Sequence, residues 1–172
     1  AVGRVIEGFL CPSEINREPV SHSTFGLIGG VSYGFCMGDW YVWNGFNSPC
    51  PKSRSAFGIN FSRRWADFSD GMSNTLLLSE VKNYQVTIRD CGPFSLINDP
   101  ENVPAPTADP LTVCPEYAAS GCTVFARGHT QWAEMSVHHN GFTTVWPPNK
   151  VTPGGPGLSE ADVDVMSVRE RM

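Results

Sequence analysis

The sequence predicts a mainly β domain of the α+β class, and two observations carry that prediction. The 172 residues include 17 Gly and 14 Pro, and this composition, together with few helix-forming runs, is typical of a loop-rich β body. Short apolar or alternating runs, bounded by turn residues, recur along the chain and have the length of strands rather than helices. A chain of this length fits one hydrophobic core, so residues 1–172 are expected to form a single domain.

The stretch around Asp70-Gly71 organises the middle of the chain. Gly adopts a positive φ without steric cost, and the Asp side chain can bond the backbone two residues on, so this dipeptide predicts a turn. The pattern places a polar loop at 67–74, followed by a buried central strand at 75–82. The alternating residues of 84–90 then predict a strand beside it.

Further regions have the patterns of strands. Residues 24–31 carry three glycines among apolar residues, which predicts a bent strand or a close approach of two backbones. The aromatic-rich residues 31–46 predict one or two strands. Residues 132–137 and 142–146 are predicted to pair as a hairpin around a turn at 138–141.

The net charge of the chain argues against one class of binding partner, nucleic acid. The formal net charge is -5 and the isoelectric point is about 5.3, and no stripe of Lys and Arg is present to displace counterions from phosphates. We therefore expect no nucleic-acid partner. No stretch of the sequence has the apolar length of a membrane-spanning helix, and we expect the targeting segment of an exported precursor to be absent from this chain.

Six cysteines are scattered along the chain without a Cys-x-x-Cys pair: Cys11, Cys36, Cys50, Cys91, Cys114 and Cys122. An even number of separated cysteines most often forms disulfides in an oxidising compartment, although the sequence does not choose among the pairings. A bridge between Cys36 and Cys50 would close the loop between them, and the last three cysteines would staple the proline-rich excursion at 91–122. Six reduced, buried thiols in a cytosolic protein are the alternative, and export is favoured.

Tryptophan residues provide the candidate ligand surface, which consists of Trp40, Trp43, Trp132 and Trp146. Their rings could stack on an extracellular solute or a glycan, which makes a binding module the alternative function. For the aromatic cluster of residues 31–46, which contains Trp40 and Trp43, packing within the core and between strands is the favoured interpretation, because aromatic residues are frequent in half-buried strands.

One group of residues could be considered as a metal site, namely His129, Glu134, His138 and His139. Neighbouring residues of a strand point to opposite faces, so His138 and His139 could not bind one ion together without a distorted turn. Structural histidines, hydrogen-bonded near a turn, are the favoured interpretation, and no metal is expected.

The remaining chemistry-bearing residues also favour structural roles. Asp67, Asp70 and Asn74 miss the spacing of an EF-hand and are expected to cap their own turn. The sequence contains no Gly-x-Ser-x-Gly elbow, no His-Glu-x-x-His helix and no cysteine whose context indicates a lowered pKa. We therefore expect neither enzymatic activity nor a cofactor.

Several motifs follow one another in a fixed order. They are Phe-Leu-Cys-Pro-Ser at 9–13, Ser-Tyr at 32–33 with Gly-Asp-Trp at 38–40, Asp-Gly-Met-Ser-Asn-Thr at 70–75 with Glu80, Gly-His-Thr-Gln-Trp at 128–132, and His-His-Asn-Gly-Phe-Thr-Thr at 138–144 with Pro-Pro-Asn at 147–149. In this order the chain resembles the secreted, prepilin-like bacterial proteins of unknown function whose precursors carry a type IV prepilin cleavage and methylation signal. The resemblance spans most of residues 9–150.

The resemblance implies a pilin-like or pseudopilin-like antiparallel sheet with long disulfide-stapled loops, packed against a long N-terminal helix. That helix lies upstream of the Cys-Pro-Ser motif in the family, and the family's closing segment is not found after Val168. The chain is therefore expected to be an ectodomain fragment that lacks both. The resemblance further implies a structural or adhesive subunit, secreted or at the cell surface or in the periplasm, anchored in the membrane through the absent helix. Its expected partners are other pilin-like subunits or envelope components.

Overall fold

The computed structural model describes residues 2–39, 55–57, 62–89, 105–109, 123–134, 137–152 and 162–165. Within these ranges eight short strands form three small sheets, so the architecture is mainly β and the coarse prediction of fold class is confirmed. The strands are β1 (Val20–His22), β2 (Gly26–Ile28), β3 (Tyr33–Cys36), β4 (Leu78–Glu80), β5 (Gln85–Arg89), β6 (Thr123–Gly128), β7 (Gly141–Phe142) and β8 (Val163–Val165). The helical elements are the 3-10 helices η1 (Glu7–Phe9), η2 (Trp65–Asp67) and η3 (Met72–Asn74) and the short α-helix α1 (Val137–Asn140).

The three sheets are small, and two of them are mixed. β1 and β2 form an antiparallel hairpin in which Val20 lies opposite Ile28. In the second sheet β3 is antiparallel to β4 and parallel to β7. In the third, β5 is antiparallel to β6 and parallel to β8. The two parallel pairs depart from the antiparallel sheet expected above, because long connections bring β7 and β8 back in the direction of their partners.

The strand predicted after the Asp-Gly turn forms, but its position in the sheet was predicted wrongly. β4 is an edge strand, and its three residues are exposed rather than buried. β5 does not pair with β4 and belongs to the third sheet. The chain changes direction between the two strands at Tyr84, whose φ of 60° lies in the left-handed region. The alternation of apolar and polar residues in 84–90 correctly predicted a strand, but it did not indicate which strand would pair with it.

The hairpin predicted around residues 138–141 is also wrong. Residues 137–140 form α1, and β7 pairs with β3 rather than with a strand at 132–137. Residues 131–134 form a turn, closed by a hydrogen bond from the Glu134 N–H to the Gln131 carbonyl at 3.1 Å. The alternation of apolar and polar residues in this region was therefore not the signature of a strand.

The turn around Asp70 is formed as predicted. Gly71 has a φ of 86°, a conformation that glycine adopts readily. The Asn74 side-chain amide donates to the Asp70 carbonyl at 2.7 Å, and the Asp67 carboxylate accepts the Arg64 N–H at 2.7 Å. These contacts confirm the capping roles predicted for Asp67 and Asn74, and Asp70 contributes its backbone carbonyl.

The core formed by the described residues contains more polar than apolar residues. Its buried apolar residues are Leu10, Ile28, Val31, Cys36, Met37, Val145 and Val163. The buried polar residues are Ser32, Asn83, Gln85, Thr87, His129, Thr130, Gln131, His139, Asn140 and Thr152. Since burying a polar group is unfavourable unless it is hydrogen-bonded, this core depends on internal hydrogen bonds as well as on apolar packing.

Cys11 and Cys36 are free thiols, so the expected disulfides are not confirmed for these two residues. Cys36 is buried on β3, and the Cys11 sulfur donates to the Glu80 carboxylate at 3.4 Å. The sulfur of Cys11 is therefore engaged by a carboxylate rather than by a second sulfur. Cys50, Cys91, Cys114 and Cys122 lie outside the described residues. In the described ranges, no helix has the length and apolar character needed to cross a membrane.

Candidate functional site

Two motifs that lie apart in the sequence meet in a buried group of polar side chains. We call this group the histidine cluster, and it consists of His129, Gln131, Glu134, His139 and Asn140. The first three follow β6, and the last two belong to α1. The two histidines are almost fully buried, with 5% of His129 and 2% of His139 exposed.

The chain reverses sharply where β6 ends, and this reversal forms the first half of the cluster. His129 has a φ of 56°, in the left-handed region that few non-glycine residues adopt. The Thr130 hydroxyl donates to the Arg127 carbonyl at 2.7 Å, and the His129 carbonyl accepts the Val31 N–H at 3.0 Å. These bonds stabilise the unusual backbone and attach the reversal to the segment that leads into β3.

Hydrogen bonds determine the protonation of both buried rings. His129 Nδ1 lies 3.1 Å from the His139 carbonyl oxygen, which can only accept, so Nδ1 carries a proton. Gln131 Nε2 lies 2.8 Å from His139 Nε2, so this ring nitrogen accepts. The Glu134 carboxylate lies 3.5 Å from the same nitrogen. His139 Nε2 therefore lies between the side-chain amide of Gln131 and the carboxylate of Glu134.

Trp132 connects the cluster to the N-terminal segment. Its indole Nε1 donates to the Arg4 carbonyl at 2.9 Å, and its backbone N–H donates to the Gly29 carbonyl at 3.2 Å. The ring packs against Phe9, with centroids 5.9 Å apart and planes inclined by 55°. A Cβ atom on Gly29 would lie 2.7 Å from the Arg4 carbonyl oxygen. This contact confirms the close backbone approach that the glycines of 24–31 predicted.

The predicted tryptophan surface is only partly within the described residues. Trp132 and Trp146 are both half-buried, and each donates its indole N–H to a backbone carbonyl of a different segment. The acceptor for Trp146 is Ala108, at 3.0 Å. Each of these two indoles therefore joins two segments of the chain. Trp40 and Trp43 lie outside the described residues.

The structure places three of the four candidate metal ligands. His129, Glu134 and His139 lie in the histidine cluster, whereas the side chain of His138 is not among those that the structure describes. Across the described residues, no three side chains of His, Cys, Asp or Glu are arranged to hold a metal ion. The three placed residues are joined through His139, whose carbonyl oxygen contacts His129 and whose Nε2 contacts Glu134.

Sequence reasoning identified the histidines but missed Gln131 and Asn140, which complete the network. The Asn140 amide donates to the Trp132 carbonyl at 3.4 Å, across a separation of eight residues. The polar run at 129–131 could have indicated that Gln131 belongs to a network, because polar residues are rarely buried without hydrogen-bond partners.

Three small sheets and a buried polar cluster define a mainly β domain with irregular connections. The sequence model of the family described as "Protein of unknown function (DUF1559)" matches residues 2–167. The chain belongs to this family. No curated protein and no solved structure matches it.

Proposed function

We propose that this chain is the ectodomain of a structural or adhesive cell-envelope protein, a pilin-like or pseudopilin-like subunit. One observation carries the proposal: residues 2–10 are fastened into the body of the domain by hydrogen bonds to elements far along the chain. A segment preceding Val2 would be coupled firmly to the folded body, as a subunit held by an N-terminal anchor requires. The order of motifs between residues 9 and 149 supports the same class.

Hydrogen bonds hold the N-terminal segment, residues 2–10, to the rest of the domain at several points along its length. In addition to the indole bond described above, the Val2 carbonyl accepts the Gly29 N–H at 3.1 Å, directly after β2. The Phe9 carbonyl accepts the Ser32 N–H at 2.8 Å, directly before β3. Several hydrogen bonds along the segment would therefore resist its detachment from the domain by a force applied at residue 2, as an anchored subunit requires.

The proposed function is tested by locating the native protein. An antibody raised against this chain would follow it through fractionation of the source cells, with a cytosolic protein as the control. We expect the protein in the envelope fraction, labelled by a reagent that does not cross membranes, and cross-linked into multimers on intact cells. A monomer in the cytosolic fraction, protected from the reagent, would overturn the proposal.

The proposal includes an oxidising location, in which the four cysteines outside the described residues form disulfides. Alkylation of the native-source protein under denaturing conditions, followed by intact mass measurement, tests this directly. Without reductant we expect two alkylated thiols, Cys11 and Cys36. After reduction we expect all six cysteines to be alkylated. Six alkylated cysteines without reductant would show that the protein is fully reduced and would contradict this part of the proposal.

A solute- or glycan-binding module is the second candidate. Trp132 favours it because this half-buried residue belongs to the same turn as Gln131 and Glu134, and ligand sites commonly combine aromatic rings with a few polar side chains. Titration of tryptophan fluorescence against a panel of glycans tests it, with Trp132→Phe as the site variant and Trp65→Phe as the exposed control. A response that Trp132→Phe abolishes would support binding, and no response to any glycan would eliminate this candidate.

A further inference from the structure

The hairpin of β1 and β2 is closed by a histidine side chain. His22 is the last residue of β1, and its Nδ1 lies 3.0 Å from the Thr24 backbone nitrogen and 3.3 Å from the Phe25 backbone nitrogen. Gly26, which begins β2, has a φ of 74° and completes the reversal. An Asn or Asp side chain often bonds the N–H two residues on in such a turn, and here the imidazole occupies that role.

The geometry assigns the protonation of His22. A backbone N–H can only donate, so both hydrogen bonds require a lone pair on Nδ1. The ring is therefore neutral and carries its proton on Nε2. An imidazolium has N–H donors at both positions and cannot accept either bond. Protonation would place a third N–H against the two backbone N–H groups.

The stacking of the His22 ring on Phe25 does not prevent the loss of these two hydrogen bonds. The imidazole stacks on the Phe25 ring, with centroids 4.9 Å apart and planes inclined by 25°. A cation can remain over an aromatic face, so protonation need not remove the ring from Phe25. The bonds to the backbone are the contacts that would be lost.

No charged group in the described residues holds His22 in one protonation state. β1 and β2 carry no other titratable side chain. The N-terminal segment beside β2 contributes Arg4, whose carbonyl lies near Gly29. Among the described residues, His22 takes part in no ion pair.

We propose that the β1–β2 hairpin is a pH-sensitive element, in which protonation of His22 releases the turn at residues 23–25. The turn carries Phe25, which is 56% exposed, and leads to Leu27, which is 57% exposed. Release of the turn changes how these two apolar side chains are presented to solvent. The release is therefore expected as the pH falls from neutral to mildly acidic, the range in which an imidazole side chain becomes charged.

Nuclear magnetic resonance tests the proposal through the solvent-exchange rates of the Thr24 and Phe25 amides. Each rate is divided by that of an unstructured peptide at the same pH, which removes the intrinsic pH dependence of exchange. Between about pH 7.5 and about pH 5.5, we expect the protection of both amides to fall by roughly tenfold, as two lost hydrogen bonds predict.

Two variants make the test specific to His22. His22→Asn keeps a side-chain acceptor for the same amides but does not titrate, so its protection should not change with pH. His22→Ala should lose the protection at both pH values. Protection that is independent of pH in the natural chain, an equal fall in His22→Asn, or unchanged protection in His22→Ala at neutral pH would each overturn the proposal.

Discussion

The indole nitrogen of Trp132 lies 2.9 Å from the carbonyl oxygen of Arg4, a residue 128 positions earlier in the chain. This bond joins the N-terminal segment to the turn that follows β6. The same turn contributes His129 and Gln131 to the histidine cluster. The attachment of the N-terminal segment and the packing of the cluster are therefore parts of one arrangement, and disturbing either should affect the other.

Replacing Trp132 by Phe should lower the free energy of unfolding by about 1 kcal/mol, because the ring contact with Phe9 remains while the hydrogen bond to Arg4 is lost. Urea denaturation measures this difference. Trp65→Phe is the matched control, since Trp65 is 78% exposed, and a change at such a surface position should stay within about 0.5 kcal/mol. Equal effects of the two substitutions would show that the indole bond contributes nothing to stability.

Gly29→Ala should destabilise the domain by about 1 to 3 kcal/mol, because the added methyl group overpacks the contact between two backbones. The new Cβ would lie 2.7 Å from the Arg4 carbonyl oxygen and 3.3 Å from Trp132 Cδ1. Gly8→Ala is the control, since no heavy atom lies within 4 Å of the Cβ position there. Thermal unfolding of the two variants measures the contrast. If Gly29→Ala unfolded at the same temperature as Gly8→Ala, the segment would not be closely packed in solution.

Local features of the fold could be predicted from the sequence because they depend on neighbouring residues. The Asp70-Gly71 dipeptide specifies a turn through the conformational freedom of Gly71 and the hydrogen bond between Asn74 and Asp70, all within five residues. The close approach at Gly29 could also be predicted, since a glycine among apolar residues often marks one. In both cases the residue type itself carries the structural reason.

Strand pairing and the composition of the cluster could not be predicted in the same way. β5 and β8 are paired in parallel although more than 70 residues separate them, and no local pattern encodes that choice. The apolar run within 75–81 predicted a buried strand, yet the three residues of β4 are all exposed. The bond between Gln131 and His139 accompanies a chain reversal at His129, and the sequence does not predict this reversal because a positive φ is uncommon for any non-glycine residue.

Tyr84 should make the stability of the domain depend on alkaline pH. Its pKa is raised by burial and then by the negative charges of Glu18 and Glu14, and its hydroxyl donates to the Glu18 carbonyl. A raised pKa in the folded state contributes stability that is complete below the unfolded value of about 10 and is lost as the pH rises through the folded value.

The variant Tyr84→Phe isolates this contribution. The natural chain should be more stable than the variant at neutral pH, and the difference should shrink as the pH rises above about 10. Urea denaturation of both proteins across this range gives the difference at each pH, so that other groups titrating in both cancel. A difference that stays constant with pH would mean that the Tyr84 hydroxyl has the same pKa in the folded and unfolded states.

The contact between Gln131 and His139 should appear as an energetic coupling. Gln131→Met keeps the length of the side chain and removes the donor to His139 Nε2, which lies 2.8 Å away. His139→Phe keeps a ring and removes the acceptor. In a double-mutant cycle measured by urea denaturation, we expect the two effects to be coupled by about 0.5 to 3 kcal/mol, as for buried residues in direct contact.

The control is a second double-mutant cycle on a pair of residues that are not in contact. Ser73→Ala provides it, because Ser73 is exposed in η3 and lies outside the histidine cluster. Its effect should add to that of Gln131→Met within about 0.5 kcal/mol. If the Gln131 and His139 substitutions were as additive as this control pair, the hydrogen bond between them would not contribute to folding. The histidine cluster would then have to be explained by a role other than holding the chain reversal at His129 against α1.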